Sequence, residues 1–226
     1  MHLGLIGGIG PAATALYHAR LAAAVPGGLE LTIVHAQMRT LLANAASGRA
    51  EAQAEIFARL IDRLAGAGAG VAAITAIGGH FCMTETAARA TLPLVSAIAP
   101  LDAHLTAEGI GRVGLLGTPA VMRSRLFGRL ATETVVLEGE IDAIGAAYQE
   151  MALAGRCTPE QRALFVGAGR RMMDAGAEAI ALVGTDLALA FNAIAPGYPV
   201  VDAIEPHVAH LAALATGVPL DPAMLA

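Results

Sequence analysis

Short apolar runs and longer mixed segments alternate along the 226-residue chain. Residues 3–6, 31–34, 71–75 and 94–98 are apolar or small-residue runs without the strict apolar–polar alternation of a strand that wets one face. They are expected as strands of a parallel sheet covered on both sides. Between them, residues 11–24 and 52–65 carry longer patterns expected as helices. The second half repeats the scheme, with strands expected at 113–116, 134–137, 179–183 and 199–201 and helices at 124–132, 141–153 and 159–175.

The halves also begin alike. Leu3-Gly4-Leu5-Ile6-Gly7-Gly8 resembles Val113-Gly114-Leu115-Leu116-Gly117-Thr118, a repeat of one whole lobe rather than of a solenoid unit. The expected fold class is α/β, with two similar doubly wound parallel-sheet lobes related by a pseudo-twofold axis. Residues 1–100 would form lobe 1 and residues 101–204 lobe 2, with a helix from Glu205 to the end free to complete the first. Ligands of such sheets collect outside the carboxyl ends of the strands. Loops 7–14, 35–40, 75–80 and 184–187 are therefore the candidate ligand contacts.

Composition narrows the function. Hydrophobic residues make up 56% and charged residues 15%, enough for a large core, yet no run of about 18 apolar residues free of charges and breakers suggests a membrane span. The opening residues lack a basic leader region and are expected as a first strand. A net charge of −5 with scattered Lys and Arg argues against nucleic acid. Cys82 and Cys157 make neither a disulfide framework nor a zinc pattern, and a cytoplasmic location is expected. No His pair at ligand spacing lies in the cleft loops, so no metal is expected.

Gly7-Gly8-Ile9-Gly10-Pro11-Ala12-Ala13-Thr14 comes after a strand and opens a helix. Glycines let a ligand approach the backbone, and the helix N-terminus offers free N–H groups to an anion such as a carboxylate. A bare strand–helix turn is the competing reading. The spacing is a poor match to G-x-G-x-x-G, and His35 stands where an acidic residue would come after the second strand, which excludes NAD.

The same loop resembles the G-G-[MI]-G-P-x-A-T signature of the aspartate/glutamate racemase family. Further matches occur in order: Gly66 to Gly70 and the strand beyond, Thr91-Leu92-Pro93-Leu94, the stretch from Gly111 to Thr118, and Ala175-Gly176-Ala177-Glu178 through Thr185. The resemblance implies a cofactor-independent enzyme that moves a proton at the α-carbon of a small carboxylic or amino acid, between two thiols on opposite faces. Here the family's C-N-T-x-H loop reads Ala76-Ile77-Gly78-Gly79-His80, and its G-C-T-E loop reads Val183-Gly184-Thr185-Asp186. Ala76 and Gly184 fall at the thiol positions, and neither can exchange a proton.

The groups left for chemistry are His80, Asp186 and Thr185, one from the first lobe and two from the second. His80 and Asp186 would exchange protons, while Thr185 and the Gly-rich loop (Gly8, Ile9, Gly10, Thr14) would hold a carboxylate. His80 could equally be structural and Asp186 a helix cap. Arg39 after the second strand could pair with a carboxylate or be a solvated surface residue. Thr75, Ala76, Ile77, Gly78, Gly79 and Gly184 would complete the substrate wall. Glycine at 184 suggests a backbone conformation that a side chain would strain. Cys82 reads as a buried small hydrophobe, and His207 and His210 as packing or surface residues. The expected activity is a cofactor-independent isomerase or lyase that does not use two thiols. The alternative is a non-catalytic small-carboxylate binding protein, and a homodimer stays open.

Overall fold

The computed structural model describes residues 1–8, 11–192 and 194–226. Two four-stranded parallel sheets are built in succession. β1 (Leu3–Gly7), β2 (Leu31–His35), β3 (Val71–Ile74) and β4 (Leu94–Val95) form the first, in the order β2-β1-β3-β4. β5 (Arg112–Leu116), β6 (Glu133–Val135), β7 (Ala179–Leu182) and β8 (Val200–Asp202) form the second, in the order β6-β5-β7-β8. The identical order, with the same switch between the first and third strands of each half, gives the two-lobed α/β fold that the repeat predicts. β1, β3 and β7 are buried along their whole length, as strands covered on both faces must be.

Helices α1 (Pro11–Ala24), α2 (Met38–Ala46), α3 (Ala50–Gly66), α4 (Met83–Ala87) and α5 (Ile98–Ala107) belong to the first half. Helices α6 (Pro119–Arg123), α7 (Ile141–Ala154), α8 (Pro159–Asp174), α9 (Ala188–Phe191) and α10 (Ile204–Ala215) belong to the second. Their ends obey local chemistry. Thr158 and Gln161 form a reciprocal capping box at the start of α8, with Pro159 at its first position. Gly155 ends α7 at φ 63, a left-handed conformation that favours glycine.

The helix that closes each half packs on the other half's sheet. Ile98, Leu101 and Leu105 of α5 join Val113 and Leu115 of β5 and Ala181 of β7 in one core. Ile204, Val208, Leu211 and Leu214 of α10 join Leu3 and Leu5 of β1 and Tyr17 and Leu21 of α1 in another. This exchange, with Arg20 of α1 bonded to Asp202 of β8 at 3.0 Å, ties the halves together.

Two expected elements differ. Residues 124–132 are not a helix: α6 stops at Arg123, and Arg125, Leu126 and Phe127 all take positive φ. Ser124 Oγ donates to Ala120 O and accepts from Phe127 N–H, closing the turn locally in competition with helix extension. The expected strand 94–98 is cut to Leu94–Val95, because Ser96 Oγ accepts from Ile98 and Ala99 N–H and starts α5.

Candidate functional site

In each half the chain leaves the first and third strands in opposite directions, which opens a crevice at their carboxyl ends. Gly7, Gly8, Thr75 and Ala76 border it in the first lobe, and Gly117, Thr118, Val183 and Gly184 in the second. Ile9 and Gly10 of the Gly-rich loop lie outside the described residues.

From Val71 to His80 every residue is buried, and β3 leads into a 3₁₀ turn, Ile77–Cys82. His80 is 1% exposed, and both ring nitrogens are engaged by backbone. Nε2 accepts from Ala97 N–H at 3.0 Å, so it carries no proton, and Nδ1 donates to Ala76 O at 3.2 Å. Burial pulls the imidazole down to about 4. Ala97 precedes α5, so His80 clamps the turn after β3 to the start of the exchanged helix. No ring nitrogen is left to face a substrate.

The rest of that loop is committed to packing. Ile77 lies in the core shared with β5 and β7. A β-carbon on Gly79 would stand 3.1 Å from Ile74 and 3.2 Å from Phe57. Thr75 donates its hydroxyl to Ile6 O at 3.2 Å, and Ala76 would meet a β-carbon on Gly8 at 3.0 Å. Arg39 is exposed at the start of α2 and lines neither of the two cavities at the strand ends. Burial pushes the Cys82 thiol up to about 11 and keeps it protonated. His207 is buried with Nδ1 2.8 Å from the Tyr17 hydroxyl.

The second lobe offers more. Thr185 and Asp186 start the 3₁₀ turn Thr185–Leu187 after β7, both buried. Tyr148 of α7 donates its hydroxyl to Asp186 Oδ2 at 3.2 Å. The other carboxyl oxygen, Oδ1, is buried with no hydrogen-bond partner among the described residues. Burial pushes the Asp186 carboxyl up to about 6; the Tyr148 hydroxyl and the nearby Ala13 N–H, which lies outside hydrogen-bonding geometry, partly offset this. Ala13 lies in the first turn of α1, so a carboxyl of the second lobe faces the helix N-terminus of the first, the place expected for a ligand's carboxylate. Thr14 Oγ1 in the same turn is also buried without a partner among the described residues.

Thr185 and Asp186 line a cavity of about 560 Å³ between α1 and α9. Its remaining walls are aliphatic, from Ala12, Ala13, Ala15, Leu16 and Ala19 on one side and Ala188 and Leu189 on the other, with Asn192 at the rim. Asp186 is its single ionisable lining residue among those described. The equivalent elements bound a second cavity of about 420 Å³, where α6 replaces α1 and Gly78 stands in the turn after β3. Its charged residues, Arg123 and Asp142, are paired with each other. Among the described residues no group of three or more His, Cys, Asp or Glu is gathered as for a metal ion, and no helix is long and apolar enough to cross a membrane.

The sequence model of the Asp/Glu/Hydantoin racemase family matches residues 6–211. The chain belongs to this family. No curated relative matches it by sequence. Among solved structures, this racemase-family protein resembles a candidate Asp/Glu racemase from Yersinia pestis, with TM-score 0.81 and 23% identity over 96% of this chain and 100% of that one. An aspartate racemase homologue from Pyrococcus horikoshii gives TM-score 0.76 and 24% identity over 95% and 99% of the two chains. Aspartate racemase of Picrophilus torridus gives 0.73 and 17% over 96% and 95%. At these identities the structural likeness speaks for the fold.

The residues brought together are therefore Thr185 and Asp186 with the first turn of α1; His80, Ile77 and Arg39 are not among them. Tyr148 was not visible as a site residue. It sits inside an apolar helix with no motif around it, and only its rarity, one of three tyrosines, could have drawn notice.

Proposed function

We propose that this racemase-like protein is a cofactor-independent isomerase or lyase that moves a proton on one face of a small carboxylic or amino acid, with Asp186 as the acid–base group. The observation that carries this reading is a buried carboxyl at the wall of an inter-lobe cavity, with one oxygen unpaired among the described residues and with burial pushing it up to about 6. A general acid–base group works best with its pKa near the working pH. An unpaired buried oxygen costs on the order of 1–3 kcal/mol unless a ligand donor or proton satisfies it.

In this mechanism the first-turn amides of α1 and the Thr185 hydroxyl hold the substrate's carboxylate. As an isomerase, ionised Asp186 takes the α-proton, the C–H pair stays on the substrate as an enolate-like anion, and the new O–H of Asp186 returns the proton to another carbon of that anion on the same face. As a lyase, a substrate carboxyl leaves as CO2, its C–C pair stays as the same kind of anion, and protonated Asp186 gives its proton to the α-carbon. The aliphatic walls, with no lining cation among the described residues, support a substrate charged at one end with an apolar remainder. His80 acts through structure, as the clamp on α5. Both cysteines are free thiols, which fits a reducing cytoplasm.

The wall facing Asp186 carries no second ionisable group among the described residues, and this favours a second reading, a non-catalytic carboxylate binder. Incubation in deuterated water with alkyl and aryl amino acids, hydroxy acids and malonates, with NMR detection, separates the two. Deuterium at the α-carbon or loss of a carboxyl supports the enzyme. A stabilising ligand recovered unchanged supports the binder.

A further inference from the structure

Gly184, two residues beyond β7, takes an extended conformation, φ −118 and ψ 112, that any residue adopts. Space, not backbone, demands glycine here. A β-carbon would stand 2.5 Å from Tyr148 Cε2, 2.8 Å from Cζ and 3.1 Å from the hydroxyl oxygen. The phenol of α7 thus occupies the volume over the strand end where a side chain at position 184 would project. It is 1% exposed, and its hydroxyl donates to Asp186 Oδ2.

We propose that Tyr148 is a positioning residue for Asp186: seated over Gly184, its hydroxyl commits Oδ2 and leaves Oδ1 as the oxygen that exchanges a proton with a ligand. A carboxyl on a short side chain has two equivalent oxygens and rotates freely unless one is held. Engaging one from the second lobe's own helix fixes the direction from which the other can act, and so fixes the face of the substrate that is protonated. The hydrogen bond also favours the ionised form, against the burial that opposes it. The other groups facing Asp186 are Ala13 N–H from α1 and its own backbone; no charged side chain acts on it among the described residues. The proposal rests on Asp186 being the proton-transfer group, and it is tested on ligand-free protein, so its failure is distinct from an absence of catalysis.

The experiment is a carbon-13 NMR titration of aspartate-labelled protein, with the Asp186 resonance assigned by Asp186→Asn. Tyr148→Phe keeps the ring over Gly184 and removes only the hydroxyl. The titration midpoint of Asp186 is expected to rise by on the order of half a unit to one unit. A side chain added by Gly184→Ala is expected to displace the ring and raise the midpoint in the same direction. In a Tyr148→Leu background, which makes room, Gly184→Ala is expected to leave the midpoint unmoved. A purely packing role for Tyr148 would lower the melting temperature in these variants without moving the midpoint. An Asp186 midpoint in Tyr148→Phe equal to that of the parent would overturn the proposal, whether or not Gly184→Ala folds.

Discussion

His80 Nε2 accepts the backbone N–H of Ala97 across 3.0 Å, joining the turn after β3 to the first residue before α5. Replacing His80 by Ala leaves that N–H without its partner, leaves the Ala76 carbonyl with Gly79 N–H alone, and opens a void in the core. A loss of about 2–4 kcal/mol in unfolding free energy is expected from urea denaturation. At a temperature where the variant is folded, any proton-exchange activity should stay within about tenfold of the parent, because no ring nitrogen faces the cavity. A loss of a general acid–base group would instead cost about 10²–10⁴-fold.

The same histidine gives a pH dependence of definite sign. Its ordinary value is 6.5, and burial holds it at about 4 in the folded chain. The unfolded chain takes the proton first, so this contribution to stability is full above pH 6.5 and is lost as pH falls through 4. Asp186, raised from 3.8 to about 6, works the other way: its contribution is full below 3.8 and is lost as pH rises through 6. Comparing urea unfolding at pH 7 and pH 4 in the parent and in His80→Gln isolates the imidazole. The parent is expected to lose up to about 3 kcal/mol more than the variant.

Introducing thiols at Ala76 and Gly184, which the sequence resemblance sets at the thiol positions, should expose an asymmetry. Ala76→Cys adds one atom beyond an existing β-carbon and is expected to fold. Gly184→Cys places its β-carbon 2.5 Å from Tyr148 Cε2, so a drop of several degrees in melting temperature is expected, relieved when Tyr148→Ala is added. The obstacle is this ring; the expectation of backbone strain at Gly184 does not hold, since its φ is −118.

Removing residues 204–226 takes away α10, whose Ile204, Leu211 and Leu214 are fully buried and whose Val208 nearly so, against the first sheet. At about 1.5–3 kcal/mol for each such side chain, the loss is comparable with the whole net stability of a domain. The truncated chain is expected to lack a cooperative thermal transition. A sharp melt near that of the full chain would contradict the exchanged packing of α5 and α10.

The strands were legible because residues such as Leu3 to Ile6 and Ala179 to Leu182 are covered on both faces and so form unbroken apolar runs. The exchange of α5 and α10 was not legible, because an apolar helix face does not say which sheet it meets. The site was half legible. Thr185 and Asp186 stood at a strand end and the structure puts them at a cavity, while His80 stood at an equivalent end and is consumed by backbone partners. The difference lies in contacts made by residues far away in sequence, Ala97 for one and Tyr148 for the other.

If one carboxyl, Asp186, exchanges a proton on one face of the substrate, the chemistry must be stereospecific. Stereochemically resolved deuterium incorporation, read by NMR on both enantiomers of each candidate acid, reports this. Exchange into one enantiomer with retained configuration is expected, or protonation of a single face after loss of a carboxyl, with a fall of about 10²–10⁴-fold in Asp186→Asn. Equal exchange into both enantiomers with racemisation, or an undiminished rate in Asp186→Asn, would contradict a single-carboxyl mechanism.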